Sequence, residues 1–123
     1  EDLEIWQDAR KLSKEIILIS RNTELNRDFR LKAQIKDSSG SVMDNIAEGF
    51  ERNGNAEFRQ FLSIAKGSAG ETRSQLYRVF DNEYINEAQL NHLVFEYEKL
   101  SVKIHNFITY LNKNDFKGTK FIG

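Results

Sequence analysis

Apolar residues recur every three or four positions along most of this chain, the spacing of one helical face. The clearest run is Leu90, Leu93, Tyr97, Leu100, Ile104, Phe107 and Leu111, which alternates three and four apart without a miss. It predicts a helix over about 87–112, packed nearly parallel to its neighbours. Phe58, Leu62, Ala65, Ala69, Thr72, Leu76 and Val79 predict another over about 56–81, and Ile35, Ser39, Val42, Ile46 and Gly49 one over about 29–52. A stripe of Leu3, Trp6, Ala9, Leu12, Ile16 and Ile19 predicts the first, over about 3–21. Leu25-Asn26-Arg27-Asp28 reads as a polar link ending in an N-cap, and Asn53-Gly54-Asn55 as a helix stop. These elements define an all-α, antiparallel, up-and-down four-helix bundle over residues 1–112, followed by a tail over 113–123.

The two central seams agree in register. A hairpin turning at Gly54 places Gly49 opposite Phe58, Ile46 opposite Leu62, Val42 opposite Ala65, Ser39 opposite Ala69 and Ile35 opposite Thr72. Ser38-Ser39-Gly40-Ser41 then falls opposite Gly67-Ser68-Ala69-Gly70. Each helical glycine costs about 1 kcal/mol relative to alanine. Close approach of the two backbones is the favoured reason, and a small-residue groove open to a ligand or partner is the other. Asp37, Asp44 and Glu51 are spaced by seven, as are Arg59, Lys66 and Arg73. The same register predicts a ladder of Asp37 with Arg73, Asp44 with Lys66 and Glu51 with Arg59. Phe95 and Val102 lie opposite the seam of the last helix. They are either incidental surface residues or a second packing face, and the second makes them oligomer-interface candidates.

Composition narrows the functional classes. The 123 residues carry 18 Lys+Arg and 19 Asp+Glu, a net charge of −1, which excludes a polybasic protein. There is no proline, as suits long helices with short connections, and no cysteine, so no disulfide or thiolate site. No apolar run nears the roughly 20 residues of a membrane span, and no signal peptide opens the sequence, so a cytoplasmic protein is expected. His92 and His105 lie thirteen residues apart on one helix and point to separate faces, so they do not share a metal. Glu48 and Glu71 fall more than two turns apart in the hairpin register, too far for an acid–base pair. No nucleotide, hydrolase or metalloprotease motif is present. A non-enzyme without cofactor is expected. Arg30, Lys32 and Lys36 cluster early in the second helix and are candidates for nucleic-acid contact; Lys113, Lys117 and Lys120 lie in the tail.

The most characteristic residues are Gln34, the run Ser41-Val42-Met43-Asp44-Asn45-Ile46-Ala47-Glu48-Gly49-Phe50, and Arg52. They continue with Phe58, Phe61-Leu62, Ile64-Ala65-Lys66-Gly67-Ser68 and Glu71. This double motif, with the opening Leu3-x-Ile5-Trp6-Gln7-x-Ala9, resembles the bacterial family called the 23S rRNA intervening sequence protein, or S23. Accessory proteins of diversity-generating retroelements share its bundle. The resemblance implies a homopentamer around a central channel and association with rRNA or another structured nucleic acid; unlike the retroelement proteins with their basic surface, this chain is slightly acidic. An oligomeric scaffold that binds a protein partner and no nucleic acid is the alternative. Asn45, Glu48, Gly49, Gly67, Ser68 and Glu71 match the motif and are read as structural, a polar cluster with small residues for close packing. Arg52 matches too. It ends a helix, where a cation is favoured, and is a candidate phosphate contact.

Overall fold

The computed structural model describes residues 3–114. Four helices follow one another: α1 (Glu4–Asn22), α2 (Phe29–Glu51), α3 (Asn55–Asp81) and α4 (Glu87–Lys113). They form an all-α four-helix bundle in which α2 packs on α3, α3 on α4, and α1 on α2 and α4. The segment read as a tail begins inside α4 at Lys113; from residue 115 on it lies outside the described residues.

Local chemistry sets the helix boundaries. The Asp28 side chain accepts from Leu31 N at the start of α2, the N-cap the sequence predicted. Asn86 and Gln89 form a reciprocal capping box at the start of α4. Gly54, at φ 112°, turns the chain between α2 and α3, a conformation open to glycine because it has no Cβ. The carbonyl of Leu111, an orphan acceptor at the end of α4, takes hydrogen bonds from Asn55 Nδ2 (3.1 Å) and Arg59 (3.4 Å). The link between α1 and α2 differs from its polar reading. Glu24–Arg27 is a turn of 3₁₀ helix that plugs Leu25 into the core with no exposed surface.

The core follows the predicted seams. Ile35, Val42, Ile46, Phe58, Leu62, Ala65, Ala69, Leu76 and Val79 are buried between α2 and α3, and Leu90, Leu93, Tyr97, Leu100, Ile104 and Leu111 line α4. On α1 the stripe is rotated slightly: Ile5, Ala9, Leu12 and Ile16 are buried, whereas Leu3, Trp6 and Ile19 are only partly covered.

Candidate functional site

A polar layer crosses the middle of the α2–α3 interface. Ser38 Oγ and Thr72 Oγ1 lie 2.8 Å apart, and Thr72 donates to the Ser68 carbonyl at 2.9 Å. One turn on, Ser41 and Ser68 share a hydrogen bond of 2.9 Å, and Asn45 donates to both the carbonyl and the hydroxyl of Ser41 at 2.9 Å. These hydroxyls satisfy one another, which fixes the register of α2 on α3 and leaves no side chain here free for chemistry.

The glycines divide differently from the sequence expectation. A Cβ at Gly49 would meet Phe61 Cβ at 2.8 Å and Phe58 Cδ1 at 3.0 Å, so here the backbones do approach. At Gly40 and Gly67 a Cβ would meet nothing within 4 Å, and at Gly70 only the Arg73 guanidinium at 3.7 Å. The close-packing expectation therefore fails at those three positions. The small residues that meet across the interface are the serines; the glycines among them are offset on the helix and face outward.

The predicted charge ladder is absent too. Arg73 reaches Glu98 of α4 at 3.5 Å, Lys66 reaches His105 of α4 at 3.3 Å, and Arg59 caps α4. The three cations lie on the flank of α3 that faces α4, because the serine layer occupies the flank that faces α2. Asp37, Asp44 and Glu51 are thereby left exposed along the outside of α2, without an ion pair among the described residues. Glu71 is also exposed, on α3.

Of the nominated cations, Arg52 is engaged. It pairs with Glu48 at 2.8 Å and Glu57 at 3.9 Å and stacks over Phe61. This clasp across the hairpin turn accounts for both Arg52 and Glu48. Lys32 donates to the Asn26 carbonyl (3.1 Å) and side chain (3.3 Å) and lies over Phe29. Arg30 and Lys36 are exposed. They sit on different flanks of α2. Gln34, four residues from Arg30, bonds Arg78 of α3, so Arg30 faces the α3 side; Lys36, two residues beyond Gln34, lies on the α1 side.

The charges of α1 were missed as a group by the reading of the sequence. All three of its carboxylates are engaged by α4: Glu4 and Asp8 hold Lys103 at 2.9 Å each, and Glu15 holds His92 at 3.0 Å. Those two hydrogen bonds, to Asp8 first and then Glu4, hold the Lys103 ammonium above the usual lysine range. None of the four α1 cations, Arg10, Lys11, Lys14 and Arg21, has an ion-pair partner among the described residues; Arg10 lies over the Trp6 ring. A nearly neutral chain thus carries a basic face on α1 and an acidic stripe on α2. Seven-residue spacing alone does not show this, because it depends on which helix consumes which charge.

A third surface is apolar. Phe95 and Val102 are each 59% exposed and Tyr77 is 50% exposed. The contacts Arg73–Glu98 and Lys66–His105 fix the register of α3 on α4. That register sets Tyr77 level with Phe95 and Gly70 level with Val102, three or four residues from the contact pair and so on the same flank. The three side chains form an outward strip beside a glycine.

Among the described residues no three His, Asp or Glu side chains come together to hold a metal, and no helix is long and apolar enough to cross a membrane.

The class these observations define is an all-α four-helix bundle, with a hydrogen-bonded serine layer between α2 and α3. The family described as 23S rRNA-intervening sequence protein matches residues 1–106, and the chain belongs to that family. The fold is shared with the crystal structure of a protein of unknown function from the S23 ribosomal protein family of Bacteroides thetaiotaomicron VPI-5482. The two are 23% identical with a TM-score of 0.78, over 85% of this chain and 97% of that one. No curated protein matches this chain at a significant level.

Proposed function

We propose that this protein is a non-enzymatic, self-associating helical bundle that associates with rRNA or another structured nucleic acid. The observation that carries the reading is the outward strip of Tyr77, Phe95 and Val102 beside Gly70. Phe95 and Val102 are one heptad apart on α4, the repeat with which one helix presents itself to another. Gly70 leaves room at their level, and the occupant is a second copy of the chain. A homopentamer is the assembly the family resemblance implies. The nucleic-acid part is supported by the family's description, which ties it to 23S rRNA. The buried polar side chains are serines and a threonine, and among the described residues no three His, Asp or Glu side chains converge, which favours a binding role over catalysis.

Light scattering coupled to gel filtration tests the assembly. The expected species has about five times the monomer mass, and Phe95→Asp with Val102→Asp reduces it to a monomer with unchanged helicity. A monomeric native protein refutes self-association. A fluorescein-labelled RNA hairpin titrated with the assembled protein tests the second part. Binding that weakens as salt rises is expected, because phosphate contacts release counterions. An assembled protein that ignores the RNA is instead a scaffold for a protein partner.

A further inference from the structure

The charge balance of the whole chain hides where its free cations lie. On α1 each carboxylate hydrogen-bonds Lys103 or His92 of α4, and no cation has an ion-pair partner among the described residues. Arg10, Lys14 and Arg21 are four and seven residues apart and fall on one line of the helix. That line spans about 16 Å at about 1.5 Å per residue. Lys11 stands beside it, and Lys36 of α2 lies on the adjoining flank.

We propose that this face, Arg10, Lys11, Lys14 and Arg21 of α1 with Lys36 of α2, holds the phosphate backbone of a structured RNA. The proposal rests on the nucleic-acid reading above and places the contact on α1 rather than at Arg30, Lys32 or Arg52.

Three observations favour a polyphosphate over other anionic partners. The surface between Trp6 and Leu18 is a shallow depression bordered by Arg10, Lys11 and Lys14, suited to a rounded backbone rather than to an inserted side chain. Duplex nucleic acid presents about one negative charge per 1.7 Å of axis, so about 16 Å of α1 meets more phosphates than it has cations. Leu18 is the only large apolar residue of α1 that is more than half exposed, too little apolar area to seat the helix in a lipid surface. The one carboxylate bordering the depression, Glu15, is turned toward His92 of α4, 3.0 Å away.

The experiment compares the full chain with Lys11→Gln/Lys14→Gln and with Arg30→Glu, using fluorescence anisotropy on a labelled RNA hairpin at 50 and 200 mM salt. Five contacts, at about 0.7–0.9 in the log–log salt slope for each phosphate neutralised, weaken binding about 250-fold over that range. Removing two leaves about a 30-fold change, with the slope lower by about 1.6. Arg30→Glu, on the other flank of α2, leaves the slope as it is. Circular dichroism and light scattering on the same samples check fold and assembly. If Lys11→Gln/Lys14→Gln matches the native slope while Arg30→Glu lowers it, the α1 assignment is wrong and the nucleic-acid reading stands. If the native chain shows no salt-dependent binding, both fall. If the α1 variant keeps its RNA affinity but changes its assembly, the basic face belongs to the acidic stripe of a second copy and the proposal is overturned.

Discussion

Gly49→Ala and Gly40→Ala are the same chemical change in the same helix, with opposite expected signs. Both positions have ordinary helical backbone, since Gly54 is the only glycine with positive φ among the described residues. Alanine in a helix interior is favoured over glycine by about 0.8–1.0 kcal/mol. At Gly40 the new Cβ meets nothing within 4 Å. The full propensity gain is therefore expected, about 0.5–1 kcal/mol of added stability. At Gly49 the new Cβ falls 2.8 Å from Phe61 Cβ, 3.0 Å from Phe58 Cδ1 and 3.3 Å from the Phe58 carbonyl. Phe61 Cβ is bonded directly to the backbone and cannot swing away, and Phe58 is fully buried, against Phe107 at 5.4 Å between ring centroids. The helices must part or the rings must leave their rotamers, which costs about 1–3 kcal/mol. Against the propensity gain, the net is a loss of up to about 2 kcal/mol. The two variants should thus differ by about 1–3 kcal/mol. Urea unfolding followed by circular dichroism resolves this: with an m-value of about 2 kcal/mol/M, the midpoints separate by about 0.5–1.5 M. Equal midpoints, or Gly49→Ala the more stable, would show that α2 and α3 do not approach as described.

Four further results are expected. Tyr97→Phe should stabilise the fold by about 1 kcal/mol at neutral pH, because Tyr97 Oη is buried without a partner among the described residues and an unsatisfied buried hydroxyl costs about 1–3 kcal/mol; a destabilised variant in thermal melts would point to a partner for that hydroxyl. Stability should fall at alkaline pH. Burial, with the Glu15 carboxylate adding to it, raises the Tyr97 phenol above its usual range, and hydrogen bonding to Asp8 and Glu4 raises the Lys103 ammonium. A group with a raised folded pKa contributes stability that is full below its unfolded value, about 10 for both. That stability is lost as pH rises beyond it. Tyr97→Phe should flatten this alkaline limb by up to about 1.4 kcal/mol per pH unit, read from urea midpoints between pH 9 and 11. Lys103→Met should cost no more than about 1 kcal/mol, because the pairs with Glu4 and Asp8 are partly solvated; a loss that persists undiminished in 1 M salt would contradict an electrostatic seam between α1 and α4. Thr72→Val should cost about 1 kcal/mol by removing the partner of Ser38, and unchanged urea midpoints would argue against the serine layer.

Much of the bundle was legible from periodicity, because burying one face of a helix imposes a repeat that survives without knowledge of the partner. Leu90 through Leu111, the stop at Gly54 and the cap at Asp28 are of this kind. So is the family, since the run around Asn45-Ile46-Ala47-Glu48-Gly49 reflects the packing of α2 against Phe58 and Phe61. The sequence also determined that the chain is close to neutral and has no cysteine or proline.

The partners of the charged and small residues were not legible, because a side chain at the edge of a helix faces one of two neighbours separated by only part of a turn. The spacing of Arg59, Lys66 and Arg73 fits α2 and α4 equally, and only the packed bundle sends them to α4. The same ambiguity concealed that Gly40 and Gly67 look outward, that Leu25 is core, and that Arg52 is clasped by Glu48 and Glu57. It also hid the basic face of α1, which exists because Glu4, Asp8 and Glu15 turn toward Lys103 and His92 of α4, some 80 to 100 residues away in sequence. Pattern along the chain decided which residues are buried; the side-to-side order of the helices decided which charges remain to meet another molecule.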